Sequence, residues 1–303
     1  MKKSIIITGS SGFVGSNLLN YFELSVNELS KLNIRNSNWK SEIDINATAI
    51  IHLAGKAHDT KNSSNSKDYF DINTKLTQEL FNVFLASNCR DFIFFSSVKS
   101  VTDKAEDIVT EETITNSQTA YGQSKLQAEE YILSRTLPEG KRVFVIRPSM
   151  IHGPGNKGNL NLLYQLVSRG IPWPLGSFQN QRSFCSIDYV CYIIQQILER
   201  EEIPSGVYNL ADDEALSTNE LIELIALATN GKVRILNIPK KLIYAIAKIG
   251  DVLHLPLNVE RLDKLTENFV VSNAKIKSTL GIEKLPTSAR EGLVKTISSF
   301  KKS

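Results

Sequence analysis

The chain of 303 residues has few of the residues that build metal sites, disulfide frameworks or membrane spans. Its three cysteines (Cys89, Cys185 and Cys191) are an odd number without metal-ligand or redox spacing. We therefore interpret them as small core residues of a protein in a reducing compartment. The four histidines are scattered, so we expect no metal site. The apolar run after Met1 is too short for a signal peptide. These absences predict a cytoplasmic protein without a membrane span.

The chain also lacks a strong excess of charge of either sign. Lysine and arginine number 35 against 32 acidic residues, which gives a formal net charge of +3. This excess is too small to imply a nucleic-acid partner, and no basic stripe with interleaved aromatic residues is present. A hydrophobic content of 42% and a charged content of 22% are typical of a soluble globular protein. The length allows one large or two modest domains.

A glycine-rich turn follows the first apolar segment. Residues 3–8 predict a buried strand, and an amphipathic run over 16–24 predicts a helix. Between them, Gly9, Gly12 and Gly15 have the spacing Gly-x-x-Gly-x-x-Gly. A strand, a glycine turn and a helix form the context of a dinucleotide-binding fingerprint, with the helix amino terminus facing the phosphates. The alternative is an ordinary strand-to-helix turn. The predicted cofactor contacts in this turn are Gly9, Ser11, Gly12, Phe13, Val14 and Gly15.

Strands and helices alternate through the first half of the chain, which predicts an α/β fold. The pattern is that of a Rossmann-type, doubly wound parallel sheet with helices on both faces. The predicted strands after the first are residues 26–29, 49–55, 91–97 and 142–147, and the predicted helices are 68–88 and 120–134.

Glycine and proline interrupt this pattern after Pro148, and a smaller C-terminal α/β lobe is expected there. We predict helices over 160–169 and 219–229 and a strand over 207–211. Residues 1–152 would form the cofactor-binding domain, with returning segments at about 185–211. Residues 153–184 and 212–303 would form the substrate-binding lobe, with the substrate in the cleft between the two.

Tyr121 and Lys125 are four residues apart in a predicted helix and therefore share one of its faces. A cation near a phenol favours the phenolate, so we expect Lys125 to lower the Tyr121 pKa from its usual value of about 10. Such a phenol can exchange a proton with a substrate oxygen while a hydride moves at the carbon that bears this oxygen. Ser97, at the end of a predicted strand, could hydrogen-bond a substrate oxygen or the Tyr121 phenol. Each residue alone fits a structural role, but together they suggest a catalytic set.

Together with the glycine turn, these residues resemble the extended short-chain dehydrogenase/reductases. The closer resemblance is to the NAD-dependent epimerase/dehydratase family, which acts on nucleotide sugars. His52-Leu-Ala-Gly55 is similar to a strand end of that family, and Asn73 falls at its helix asparagine. By this resemblance Leu53, Ala54 and Gly55 contact the cofactor, as do Tyr121 and Lys125. Asn159, Leu160 and Arg182 resemble contacts to the nucleotide diphosphate, for which an arginine fork is suited.

The residues after Ser97 narrow the expected reaction. Dehydratases of the family place an Asp-Glu pair there, whereas this chain has Val98-Lys99, which disfavours dehydration. The stretch is similar to a branch acting at carbon 4 of UDP-linked N-acetylated or 6-deoxy sugars in bacterial surface polysaccharide synthesis. Ser97 and Lys99 are then expected to contact the substrate. The branch includes 4-epimerases and 4-keto-reductases.

The cofactor is expected to be NAD or NADP. NAD-binding domains carry an acidic residue at the end of the second strand, and no obvious acid stands there in this chain. Ser30, Lys31 or Arg35 could instead meet a 2′-phosphate, which gives NADP a small preference. Reductases often consume NADPH, so we favour a 4-keto-reductase, with a UDP-hexose 4-epimerase as the alternative. A non-catalytic cofactor-binding protein on the same fold is a third interpretation.

Two further expectations concern partners. Residues 239–250 predict a basic, partly apolar helix that could lie on a membrane but is too short to span one. Inward packing of its apolar face is the favoured interpretation. Relatives of this family often pair through two helices per subunit, which would be 68–88 and 120–134 here, so we expect a homodimer.

Overall fold

The fold is described from a computed structural model, which covers residues 4–23, 28–57, 65–156, 158–253 and 258–302. Its centre is a sheet of six parallel strands in the order β2-β1-β3-β4-β5-β8. The strands are β1 (Ser4–Thr8), β2 (Glu28–Leu32), β3 (Ala49–His52), β4 (Asp91–Phe95), β5 (Arg142–Pro148) and β8 (Gly206–Leu210). Two short strands, β6 (Met150–His152) and β7 (Phe184–Ser186), form a second parallel pair.

Helices cover both faces of the large sheet because its strands are apolar on both sides. Ile5 and Ile7 of β1 face one core, which also contains side chains of the helices at 13–22, 187–199 and 274–280. Ile6 faces the opposite core with side chains of the helices at 39–42, 76–86 and 120–133. This alternation confirms the predicted Rossmann-type doubly wound sheet. The helices are α1 (Phe13–Phe22), α2 (Trp39–Glu42), α3 (Ser66–Tyr69), α4 (Leu76–Ala86), α5 (Ala120–Leu133), α6 (Asn159–Ser168), α7 (Ile187–Glu199), α8 (Thr218–Ala228), α9 (Lys240–Val252), α10 (Val259–Thr266), α11 (Ala274–Leu280) and α12 (Ala289–Ser299).

The second strand lies later in the chain than predicted. It begins at Glu28 and ends at Leu32, whereas the prediction over 26–29 falls partly on residues outside the described ranges. Pairing with β1 sets these bounds, since Glu28 lies beside Ser4 and Leu32 beside Thr8. The residues that follow the strand at the carboxyl edge of the sheet are therefore Asn33 and those after it.

The single helix predicted over 68–88 is three consecutive segments. A helical turn, α3, is capped by the Asn65 side chain, which accepts a hydrogen bond from the Lys67 N–H. A π-helical turn, Phe70–Lys75, follows before α4. Such wide turns are uncommon and often occur at functional sites. Apolar spacing alone does not reveal the turn, in which the polar residues Asn73 and Thr74 are buried.

A second apolar core lies in the C-terminal part of the chain. Side chains of α6, α8, α9 and α12 form it, together with Trp173, Leu175 and Phe178 from the segment between α6 and β7. The predicted helices over 160–169 and 219–229 correspond to α6 and α8. None of the helices in the described ranges combines the length and apolar character that crossing a membrane requires.

The turn after β1 requires glycine at two positions. Gly9 has a φ of +68°, and a Cβ there would stand 2.6 Å from the Ala54 backbone nitrogen. A Cβ on Gly15 would collide with the Gly9 carbonyl oxygen. These contacts bring β1, α1 and the end of β3 close together. They leave the backbone at Ser11 and Gly12 exposed at the mouth of the turn.

A pair of glycine substitutions would separate backbone strain from this close approach. Gly140 also has a positive φ, +79°, but a Cβ there would meet no atom within 4 Å. We expect Gly140→Ala to cost about 1 kcal/mol, the strain of a left-handed residue. Gly9→Ala should cost roughly 1–3 kcal/mol more, because the added Cβ forces the packed turn to shift. Urea unfolding measures both, and equal losses would contradict the packing argument.

Candidate active site

The predicted cofactor residues lie together at the carboxyl ends of β1 and β3. Helix α1 begins at Phe13, directly after the glycine turn, so its first N–H groups open toward this edge. The Ala54 N–H donates to the Thr8 hydroxyl (3.2 Å), which holds Leu53, Ala54 and Gly55 beside the turn. Helix amino termini of this kind favour phosphate groups through their free N–H groups and partial positive charge.

His52 is a buried part of this framework that the sequence interpretation did not use. Its Nδ1 is 2.7 Å from the Thr8 hydroxyl, and its Nε2 is 2.8 Å from the Thr77 hydroxyl. Burial, assisted by the positive charge of Lys125, lowers the His52 pKa to about 3. The imidazole is therefore neutral at physiological pH and ties β1 and β3 to helix α4.

Ser97 and Tyr121 meet at the end of β4. Ser97 caps a short 3₁₀ turn, Val98–Ser100, by accepting a hydrogen bond from the Lys99 N–H. Tyr121 is in the first turn of α5, which is capped by Thr119. Asp103 accepts hydrogen bonds from the backbone and the hydroxyl of Thr119 and so fixes the start of the helix. A hydrogen bond between the Ser97 hydroxyl and the phenol completes the pair.

The phenol pKa does not move in the predicted direction. Burial raises the Tyr121 pKa above its ordinary value, and the Ser97 hydrogen bond opposes this only in part. The Lys125 Nζ donates to the Phe95 carbonyl oxygen at 2.7 Å. The expectation that the Tyr121 pKa is lowered is therefore wrong for the structure described.

The surroundings of Lys125 change the pKa of its amine. The side chain is buried, and desolvation lowers its pKa to about 8, against the opposing influence of Glu129. A Cβ built on Gly55 would lie 3.1 Å from the Lys125 Nζ. The amine therefore lies beside the predicted cofactor residues at the end of β3. It can change its charge near neutral pH.

Asn73 joins the end of β3 to helix α5. Its Oδ1 accepts from the Lys56 N–H (2.7 Å), and its Nδ2 donates to the Lys56 carbonyl and to the Ser124 hydroxyl (2.9 Å). The amide thus uses its donors and its acceptor, as a buried polar group should. The π-helical turn places Asn73 where it reaches both elements.

A buried ion pair behind the catalytic candidates is a feature that the sequence interpretation missed. Glu129 is only 1% exposed and pairs with Arg147 of β5, whose Nε is 3.0 Å from Oε2. The same carboxylate accepts hydrogen bonds from the Ser96 and Ser100 hydroxyls. Glu129 is four residues after Lys125, so helix periodicity was the available signal.

The substrate candidates Lys99 and Arg182 converge on one acidic residue. Glu267 Oε1 is 3.9 Å from the Lys99 Nζ and 3.8 Å from an Arg182 nitrogen. The Lys99 amine also lies 4.1 Å from the centre of the Phe269 ring. Burial lowers the pKa of both cations. Lys99 is also influenced by the carboxylate of Asp103 and by the cation Lys264, so charges of both signs surround it.

Two other substrate candidates lie at the start of α6. Asn159 is its first residue. The Leu160 side chain packs in the core of the C-terminal lobe, so only its backbone could reach a ligand.

His152 is buried at the junction of the two cores. Its Nε2 is 3.1 Å from Asp212 and its Nδ1 is 2.9 Å from the Thr296 hydroxyl. These contacts give His152 a packing role between the two cores.

A family model for the NAD-dependent epimerase/dehydratase family matches residues 5–211, which include the glycine turn, Ser97, Tyr121 and Lys125. The chain belongs to the NAD-dependent epimerase/dehydratase family. It is therefore an enzyme of a nucleotide-sugar epimerase and reductase family that depends on NAD(P).

Relatives of this family enzyme include both reaction types. It is 31% identical to a UDP-glucose 4-epimerase of Vibrio cholerae, across 99% of this chain and 96% of the relative. It is 26% identical to a GDP-6-deoxy-D-mannose reductase of Pseudomonas aeruginosa, across 80% and 85%. The fold is similar to that of RMD from Pseudomonas aeruginosa complexed with NADPH, with a TM-score of 0.73, 22% identity and coverage of 99% and 100%.

The buried ion pair gives a stability prediction. In Glu129→Gln the shape is kept, but Arg147 remains charged and buried without its partner, so we expect a loss of about 3–5 kcal/mol. Glu260→Gln is the control: Glu260 pairs with Lys264 on the surface, both side chains being 63% exposed. That change should stay within about 0.5 kcal/mol. Chemical unfolding measures both, and a Glu129 variant as stable as its control would refute the assignment.

Proposed function

We propose that this enzyme moves a hydride between a nicotinamide cofactor and carbon 4 of a UDP-linked N-acetylated or 6-deoxy hexose. In this proposal it supplies precursors of a surface polysaccharide. The observation that supports it is the Ser97–Tyr121 pair at the end of β4, with Lys125 held at the neighbouring ends of β3 and β4 at the carboxyl edge of the sheet. Ligands of open α/β sheets bind at that edge.

Each residue has a role that its surroundings support. The cofactor, when bound, supplies or accepts the hydride. Tyr121, whose phenol keeps its proton because its pKa is raised, gives a proton to the oxygen at carbon 4 in the reductive direction. Ser97 hydrogen-bonds the phenol and holds the same oxygen. Lys125 lies near the end of β3, within reach of a cofactor seated on the glycine turn.

The proposed substrate site lies between the lobes. Residues 153–184 and 212–303 would hold the nucleotide sugar, with Arg182 and Lys99 facing its diphosphate or its sugar and Asn159 and Leu160 contacting the nucleotide. The proposed cofactor domain is 1–152 with 185–211. Pairing of two copies through α3–α4 and α5, and a cytoplasmic location, complete the proposal.

A 4-keto-reductase using NADPH is the form we favour. No acidic residue follows β2, since the residues at its carboxyl end are Asn33, Ile34 and Arg35. Glu28 is at the opposite end of the strand, beside Ser4. Arg35 is exposed and its guanidinium suits a 2′-phosphate. The alternative is a UDP-hexose 4-epimerase, which the 31% identical relative supports.

Turnover by the purified enzyme separates these two forms. A reductase should consume NADPH in step with a UDP-4-keto-6-deoxy sugar. An epimerase should interconvert UDP-glucose and UDP-galactose, or their N-acetylated forms, with bound NAD and no net cofactor use. Tight cofactor binding without turnover on UDP-, dTDP- and GDP-sugars would instead favour the non-catalytic interpretation.

Removing the Tyr121 hydroxyl tests its role in proton transfer. We expect Tyr121→Phe to lower kcat about 10²–10⁴-fold, the usual contribution of a positioned acid, with cofactor affinity nearly unchanged. Tyr131→Phe is the matched control, since its hydroxyl is on the same helix but bonds Asn82 at the surface. Near-normal turnover by Tyr121→Phe would show that another group moves the proton.

Arg35 provides a test of cofactor choice. Arg35→Ala should weaken NADPH binding about 10-fold, because a charged hydrogen bond is worth at least about 1.5 kcal/mol. NADH binding should change little. Arg135→Ala, an exposed arginine at the far end of the α5 region that stacks on Tyr131, serves as control. Titration of cofactor fluorescence measures both, and equal losses for the two cofactors would argue against a 2′-phosphate contact.

A further inference from the structure

Helix α9 has two apolar faces, and only one of them is packed. Ile243, Ala247 and Gly250 are buried against the C-terminal core. This confirms only half of the favoured interpretation of 239–250, because a second apolar row remains outside. That row, here called the outer stripe, consists of Leu242, Ile246, Ile249, Val252 and Leu253, each between 42% and 77% exposed.

The outer stripe is a concentrated feature rather than a scatter of surface side chains. Fourteen large hydrophobic side chains are exposed in the described part of the chain, and five of them belong to this stripe. Leu242, Ile246, Ile249 and Leu253 are spaced by four, three and four residues, so they share one helix face. Contiguous exposed apolar surface of this kind usually marks an interaction site.

Basic residues accompany the stripe. Lys241 and Lys248 are seven residues apart and exposed, and they form a row beside the stripe on the side away from the buried face. Residues 232–253 contain five basic residues, all exposed, against the single acid Asp251. This local excess is larger than the formal net charge of +3 of the whole chain.

The helix packed against α9 does not neutralise this charge. Helix α10 carries two acidic and two basic residues, Glu260, Asp263, Arg261 and Lys264. Glu260 is already paired with Lys264, and Asp263 accepts a hydrogen bond from Tyr244 of α9. The positive excess of the α9 segment is therefore available to an external partner.

We propose that the outer stripe docks this enzyme on an anionic phospholipid surface. A helix with lysines beside an apolar face lies in the interface plane, with its apolar side chains among the acyl chains and its cations near the lipid phosphates. The long lysine side chains can reach the headgroups while their stems stay on apolar surface. Because Ile243 and Ala247 fix α9 to the lobe, the platform exists without refolding.

Charge distinguishes this occupant from a second copy of the chain. Two α9 helices packed stripe to stripe would place two rows of lysines in the same interface, where like charges repel. An anionic surface pairs with the same lysines. The stripe also lacks the tryptophan, tyrosine and arginine anchors that dominate the binding energy of protein interfaces.

Vesicle flotation tests the proposal with the full chain. We expect binding to vesicles of phosphatidylglycerol and phosphatidylethanolamine, weak or no binding to phosphatidylcholine vesicles, and a marked loss of binding at high salt, because charge attraction is screened. Equal binding to both lipid compositions, or no binding to either, would overturn the proposal.

Two double variants divide the apolar from the charged contribution. Leu242→Ser with Ile249→Ser should abolish flotation, and Lys241→Glu with Lys248→Glu should reduce it at least 10-fold. The controls are Ile114→Ser, which changes an isoleucine 88% exposed elsewhere, and Lys275→Glu on α11. The side chains changed are exposed, and circular dichroism with thermal melting verifies that each variant is folded. Flotation that survives both double variants would refute a role for α9.

Two further measurements distinguish a failure of membrane docking from a failure of the proposed reaction. Turnover on a water-soluble nucleotide sugar should be the same for wild type and α9 variants, because α9 contributes no residue to the candidate active site. Sedimentation velocity should give the same oligomeric state for all of them. A change of oligomeric state in the Leu242→Ser, Ile249→Ser variant would overturn the proposal in favour of a second copy as the occupant of the stripe.

Discussion

The arrangement of the candidate active site depends on how helix α5 is fixed to the sheet by buried charges. Lys125 donates to the carbonyl at the end of β4, and one turn later Glu129 pairs with Arg147 on β5. The attraction within a buried ion pair does little more than offset the cost of removing both charges from water, so the pair adds little net stability. Removing one partner is nevertheless costly, because the other charge is left buried and unpaired. These contacts fix the position of α5 along its axis and its rotation about that axis. The position of Tyr121 relative to Ser97 follows from them.

The same burial determines the chemistry available to the two titratable groups. Taking the Tyr121 phenol out of water raises its pKa, and taking Lys125 out of water lowers its pKa to about 8. Desolvation opposes the charged form of each group, so the shifts have opposite signs. The result is a phenol that keeps its proton at neutral pH and, elsewhere on the same helix, an amine whose pKa lies near 8.

The part of the chain around the second apolar core differs in character from the sheet. It joins the sheet through β6, β7 and the buried His152–Asp212 contact. Its Arg182 and Glu267 lie beside Lys99, which comes from the sheet domain. Its outer helix α9 carries an apolar and basic face on the solvent side. One side of the lobe thus faces the proposed reaction while another faces outward.

The local sequence pattern was enough to predict those elements whose signal lies within a few residues. The glycine turn, the apolar strands of the sheet and the four-residue spacing of Tyr121 and Lys125 could all be read from the sequence. They depend on backbone geometry and on short-range periodicity. Strand β2 ends three residues later than predicted, because its bounds are set by pairing with β1 and not by its own composition.

Properties that depend on distant partners were decided only by the tertiary structure. The direction of the Tyr121 pKa shift comes from burial by other elements, and the partner of Lys99 and Arg182 is Glu267, which is far from both in the chain. The partners of Asn73 in the π-helical turn, Lys56 and Ser124, are likewise distant from it in the chain. Sequence could show that α9 has apolar residues on more than one side, but only packing determined which of them is buried.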